Sequence, residues 1–248
     1  MDATALTKTM IEYIKYEEDI ENKNELLTIL RCSILMFDKT RIFATKSWQY
    51  WEDINLRVPI PMLNDARKYK EQLEDIARSI YVESDEYDLR SFIINPKVID
   101  NNENEAIEHD VVFDKIKDTI IQGIRDAKYI IWAAVAWITD RDIYDELVSK
   151  KKSGINIRII TSDEDSNKWL IDDLEREFDT IRVPCWGNNN RNRMHDKFCI
   201  IDFEYVMHGS YNWSKNAQNN EETLSTAIDR DFVRKFLDQF ISLYNEYK

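Results

Sequence analysis

Apolar positions in the first hundred residues recur mostly at helical spacing. Ala3–Asp19 and Glu25–Asp38 read as helices, as does the segment from Pro61 to Glu83. In the last, Leu63, Ala66, Tyr69, Leu73, Ile76, Ala77 and Ile80 lie along one face. "SWQYWED" sets Trp48 and Trp51 three apart, on one helical face, for a core or for stacking on bases. "SFIINPKVI" is a strand or an extended stretch. The polar, acidic run Asp100–Asp110 predicts a linker.

Beyond it the pattern alternates. Val111–Ala127 has helical spacing, and Tyr129–Ile138 is an unbroken apolar run of the kind found in a strand covered on both faces. Asp140–Ser153 predicts a helix capped at Gly154, Ile155–Thr161 a strand, Asn167–Glu177 a helix and "IRVPCW" a short strand. Two strands follow within Met194–Ser214. A helix over Asp229–Tyr247 closes the chain, with Phe232, Phe236, Phe240 and Tyr244 at four-residue steps. This β-α order predicts a layered α/β domain over 106–248, preceded by a mainly α-helical domain over 1–105.

Composition narrows the function. The formal net charge is −13, which disfavours broad binding to the phosphate backbone. The balance reverses within Arg182–Asn220. There Arg182, Arg191, Arg193, Lys197 and Lys215 outnumber Asp196, Asp202 and Glu204, which suits a confined anionic ligand. Three cysteines without a Cys-x-x-Cys argue against a disulfide framework. The longest apolar run, ten residues, is too short to cross a bilayer. No signal-peptide pattern and no amphipathic basic helix for a membrane surface are seen. The expectation is a soluble cytoplasmic protein.

The candidate chemistry sits in "MHDKFCIIDFEYVMHGSYNWS", Met194–Ser214. Side chains two apart on a strand share a face, so His195 and Lys197 point one way. By the same rule Ser210 and Asn212 share a side just after Gly209. An imidazole, an ammonium, a hydroxyl and a carboxamide could thus converge. That set suits a phosphate, several of whose oxygens need neutralising at once. A zinc site from Cys185, His195, Cys199 and His208 matches no ligand spacing, and Lys197 beside it would repel the ion. No metal or cofactor is expected.

The stretch resembles the His-Lys-Asp signature of the phospholipase D superfamily: "HDKFCIID" supplies His195, Lys197 and Asp202, and "GSYNW" follows. Downstream, "NNEE" offers Asn220 with Glu222, or with one residue of slack Glu221, for the family's Asn-x-Glu. The resemblance covers the chain from about residue 110 onward. It implies a layered mixed sheet flanked by helices and metal-free phosphodiester cleavage. One His attacks phosphorus, a second protonates the leaving oxygen, Lys197, Ser210 and Asn212 hold phosphate oxygens, Asp202 orients, and Glu222 steadies the nucleophilic ring.

Only one copy of the motif is present, since neither His109 nor His208 has a lysine two residues on. The expectation is a homodimer in which two chains share one site. A nuclease is the leading reading, with Arg191, Arg193 and Lys215 as phosphate contacts. A phospholipase, or a non-catalytic binding module, is the alternative. The acidic residues 1–105 could restrain the catalytic domain or recruit an activating partner, as would suit a bacterial defence or regulatory nuclease.

Overall fold

The computed structural model describes residues 2–98 and 107–248. The chain divides into two compact units, Met1–Asn102 and Glu103–Lys248.

In the first unit α1 (Ala3–Tyr16) is capped by Asp2, whose side chain accepts from the Ala5 N–H at 2.7 Å. Leu6, Met10 and Ile14 form its buried stripe. Helix α2 (Lys23–Cys32) stops six residues short of the expected Asp38. Ile34–Phe43 is instead strand β1, antiparallel to β2 (Tyr50–Val58). A short apolar run such as Ile34–Phe37 carries no period that separates helix from strand, so pairing with β2 decides it. Trp51 lies in β2 and Trp48 in the preceding turn, 69% exposed, so the two share no helical face. The long helical pattern after Pro61 breaks at Tyr69 into α3 (Leu63–Lys68) and α4 (Lys70–Ile80). These helices carry the chain across to β3 (Tyr87–Pro96), parallel to β2. The expected helices of this region are therefore joined by a three-stranded sheet, β1-β2-β3.

Of the expected linker, residues 100–106 lie outside the described residues. Its end is strand β4 (Glu108–Val112), and the helix expected from Val111 begins only at Ile116.

The second unit holds α5 (Ile116–Asp126), β5 (Ile130–Val135), α6 (Arg141–Lys152), β6 (Asn156–Asp163), α7 (Lys168–Glu177), β7 (Asp179–Pro184), β8 (Lys197–Ile201), β9 (Tyr205–Gly209), β10 (Leu224–Ile228) and α8 (Arg230–Tyr247). The seven-stranded sheet runs β4-β10-β9-β8-β5-β6-β7. β5, β6 and β7 are parallel; β8, β9, β10 and β4 alternate antiparallel. All six residues of β5 are buried because both faces are covered. Ile131, Ala133 and Val135 join a core with Ile120, Leu147 and Leu170 from α5, α6 and α7. On the other face Trp132 stacks on Phe240 of α8, centroids 5.2 Å apart. Gly154 adopts φ +83° just past α6, as the C-cap reading expects. The mixed α/β architecture with flanking helices is the one the pattern implies. No helix among the described residues is long and apolar enough to cross a membrane.

Candidate active site

The site forms where the C-terminal end of β5 meets the N-terminal end of β8. Val135 is in register with Lys197, and the Ala136 N–H donates to the Asp196 carbonyl at 2.9 Å, extending the ladder by one step. His195 precedes the strand proper, yet His195 and Lys197 still gather around one feature, the indole of Trp137. The imidazole meets it edge-on, centroids 5.4 Å apart, and Lys197 Nζ lies 5.8 Å from the ring centroid. Lys197 Nζ also donates to the His195 carbonyl at 2.8 Å.

Burial, then the charges of Lys197 and Arg193, push the His195 imidazole below its ordinary value. It is therefore neutral at neutral pH, as an attacking nitrogen must be. Burial likewise lowers the Lys197 ammonium, opposed by Asp196 and Glu222. Among the described residues the His195 ring has no hydrogen-bond partner. Glu222, expected to steady that ring, instead accepts from Ser210 Oγ and, at 3.3 Å, from Asn220 Nδ2. Glu221 is exposed and does not join this group.

The Gly-Ser-x-Asn turn is shaped by neighbouring backbone. A Cβ on Gly209 would lie 2.0 Å from the Thr223 carbonyl oxygen, because β10 passes directly against it. Ser210 then exchanges hydrogen bonds with Thr223: its N–H donates to the Thr223 carbonyl and its Oγ accepts from the Thr223 N–H, both at 3.0 Å. Asn212 is only 8% exposed, and its Oδ1 has no partner among the described residues. The Trp213 carbonyl accepts from the N–H groups of Thr139 and Asp140 at 2.7 and 2.8 Å, which ties this turn to the loop after β5.

Asp202 does not join the others. It sits beyond the far end of β8, about 17 Å along the strand from Lys197. Its carboxylate accepts from the N–H groups of Lys128, Tyr129 and Ile130 at 2.8–2.9 Å, pinning the start of β5. Asp202 and Phe203 both have positive φ, as the two central residues of a turn closed by the Glu204 N–H donating to the Ile201 carbonyl at 3.1 Å. Its place in the motif is architectural: expected to orient, it holds the start of β5 and lies away from His195 and Lys197.

Two residues the pattern reading missed support the site. Glu164, just past β6, accepts from Trp137 Nε1 at 2.9 Å and pairs with Arg193 at 2.7 Å. Buried Asn167 donates to the carbonyls of Ala136 and Ser162 and accepts from the Ile138 N–H at 2.9 Å, fixing the strand end that presents Trp137. Neither has a local motif; each acts through partners about 25–30 residues away.

Arg193 is thus held by Glu164. Arg182, counted in the basic window, is spent on Asp163 and Glu175. Arg191 is exposed beside His195 on the rim of an open basin of about 540 Å³ that Trp186, Asn192 and Arg193 complete. Lys215 is exposed at the start of the turn Asn216–Asn219. Among the described residues no group of three or more His, Cys, Asp or Glu side chains is placed to hold a metal, and Cys199 is buried in the core.

A family model described as "Cardiolipin synthase, PLD-like domain" matches residues 120–244, half of the chain. The mitochondrial cardiolipin hydrolase of Chlamydomonas reinhardtii is 30% identical over 112 residues, 45% of this chain and 49% of the relative. That of Mus musculus is 40% identical over 55 residues, 22% of this chain and 25% of the relative. The chain spans about half or less of the length of these curated relatives. NucT from Helicobacter pylori superposes with a TM-score of 0.50 at 25% identity, covering 56% of this chain and 97% of that one. Nuc from Salmonella typhimurium, a phospholipase D family member, shares the fold with a TM-score of 0.51 at 20% identity, over 58% and 97%. With the His-x-Lys pair gathered on one indole and the family model spanning the sheet from α5 to α8, the chain belongs to the phospholipase D superfamily of phosphodiesterases.

Proposed function

We propose that the protein is a nuclease that cleaves phosphodiester bonds without a metal, through a phosphohistidine on His195. The observation that carries this is the placing of a neutral imidazole against Trp137 with Lys197 beside it. The His195 ring attacks phosphorus and the bond to the leaving oxygen breaks. That oxygen takes a proton from His195 of the partner subunit. The same group then removes a proton from water, which displaces the phosphate from the ring. Lys197 stabilises charge on the non-bridging oxygens as it builds.

Three features of one chain favour a half-site completed by two-fold pairing. The motif occurs once, the His195 ring has no hydrogen-bond partner among the described residues, and Asn212 Oδ1 is buried without one. Light scattering should give a dimer, and mixing His195→Asn with wild-type chains should lower activity per wild-type chain.

The nuclease reading rests on Arg191 beside His195 and on the likeness to NucT. Phospholipid hydrolysis is the second reading, favoured by relatives named cardiolipin hydrolases. End-labelled DNA and RNA, single- and double-stranded, assayed in EDTA beside cardiolipin vesicles, separate the two. Cleavage of nucleic acid lost in His195→Asn supports the first. Lipid turnover alone refutes it.

Residues 1–105 act, in this reading, as a module that restrains the nuclease or recruits an activator; their excess of acidic groups repels stray nucleic acid. An enzyme lacking them with unchanged rate and specificity would remove that role. Three cysteines without a Cys-x-x-Cys fit a reducing, cytoplasmic setting.

A further inference from the structure

The basin beside His195 holds an aromatic group that the cleavage chemistry does not use. Trp186 follows β7, is 47% exposed, and shares the basin with Arg191, Asn192, Arg193 and His195. Its exposure alone is ordinary; what matters is its place in the basin of His195, where its backbone is pinned. The N–H and carbonyl of Trp186 pair with the carbonyl and N–H of Asn192, each at 3.0 Å, closing a tight loop. Gly187 turns that loop at φ +80°, where a Cβ would meet Asn192 Nδ2 at 2.6 Å. The indole is thus carried on a paired stem.

We propose that Trp186 is a stacking platform for a nucleobase next to the scissile phosphate, so that the site selects single-stranded over duplex nucleic acid. This rests on the nuclease reading above and names its substrate class. The chemistry is that of an open aromatic face beside cations. Arg191 has no ion pair among the described residues and can meet a neighbouring phosphate, while the indole takes the base. A base in a duplex has both faces covered by its neighbours and would have to be unstacked first. The charge balance agrees. A chain of net charge −13 attracts the dense charge of a duplex poorly, whereas one stacked base adds affinity that needs no positive surface. A lipid fits less well: among the described residues the basin lining holds one indole and otherwise arginine, asparagine and histidine, with no aliphatic side chain to receive acyl chains.

The test uses the full chain as wild type, Trp186→Ala and Trp186→Phe. The substrates are a labelled single strand, the same strand with one abasic residue walked along it, and the duplex. The wild type should prefer the single strand. Trp186→Ala should shrink that preference by about tenfold, and Trp186→Phe should recover part of it. An abasic residue at one position relative to the cut should slow the wild type by about the same factor and slow Trp186→Ala no further. Matching melting curves for the variants show that the fold is intact. If the wild type cleaves nucleic acid but Trp186→Ala keeps the full preference, or duplex and single strand are cut alike, the stacking role is wrong and the nuclease reading stands. If the wild type cleaves no oligonucleotide and hydrolyses cardiolipin in vesicles instead, both fall.

Discussion

The imidazole of His195 stands edge-on to the indole of Trp137, centroids 5.4 Å apart, and Lys197 Nζ lies near the same ring. One aromatic side chain from the end of β5 thereby sets the position of both groups of the His-x-Lys pair. It also covers part of the imidazole, and burial is the largest cause of its lowered proton affinity.

The acid limb of kcat/KM should fall below the ordinary histidine value of about 6.5. The attacking ring must be neutral, so activity rises as pH climbs through the depressed folded value; His195 of the partner subunit must hold the proton it donates, and loss of that proton sets the opposing alkaline limb. Lys197→Ala removes a neighbouring positive charge and should move that limb up, while lowering kcat by about 10²- to 10³-fold. His195→Asn should abolish turnover with the melting curve unchanged. The linkage to stability has a definite sign. In the window between the depressed folded value and about 6.5, the unfolded chain binds the proton and the folded one does not, so this residue's contribution to stability is lost as pH falls. A pH–rate profile of wild type and Lys197→Ala checks the limb; an unshifted limb refutes the assignment.

Glu164→Gln offers a separate handle. Glu164 opposes the lowering of His195 and holds both Trp137 and Arg193. Glutamine can still accept from Trp137 Nε1 but carries no charge for Arg193. The acid limb should move lower, opposite to Lys197→Ala, and KM for a polyanion should change as Arg193 is released. Profiles that move in the same direction for both variants would contradict this geometry.

Asp202→Ala should act on stability and not on chemistry. Its carboxylate serves three backbone N–H groups at the start of β5, far from Lys197. Losing a charged acceptor there costs about 2–3 kcal/mol. Denaturant midpoints should fall, while kcat per folded molecule at low temperature stays near wild type. A stable but inactive Asp202→Ala would give this residue a role in the chemistry that its backbone contacts do not.

Gly209→Ala should be tolerated poorly, because the new methyl group would overlap the Thr223 carbonyl. Either β10 shifts or the turn carrying Ser210 does, at about 1–3 kcal/mol. Both stability and activity should drop together, since Ser210 directly follows β9 and Glu222 shortly precedes β10, the two strands forced apart. Circular dichroism melts beside turnover rates measure this.

Local sequence determined much of the second unit. The unbroken apolar run at Ile130–Val135, the helix ending at Gly154 and the four-residue steps of α8 each follow from side-chain period and turn chemistry, which short segments carry by themselves. The His195–Lys197 pair and the Gly-Ser turn were legible for the same reason, as spacings within one hairpin. The first unit carries a weaker local signal. Ile34–Phe43 has an apolar start that suits a buried helix or a strand, and only its partner β2 decides between them.

What tertiary structure alone decided is which distant groups serve the motif. Trp137, Glu164 and Asn167 reach the site because β5 and β6 end side by side, and Trp186 does because the loop after β7 folds back to the same edge. Asp202 has the right spacing for the motif, yet lies at the opposite end of β8. Spacing along a chain determines which side chains can share a strand face. It carries no information on which strand ends meet, because that depends on burying apolar surface across segments far apart in sequence.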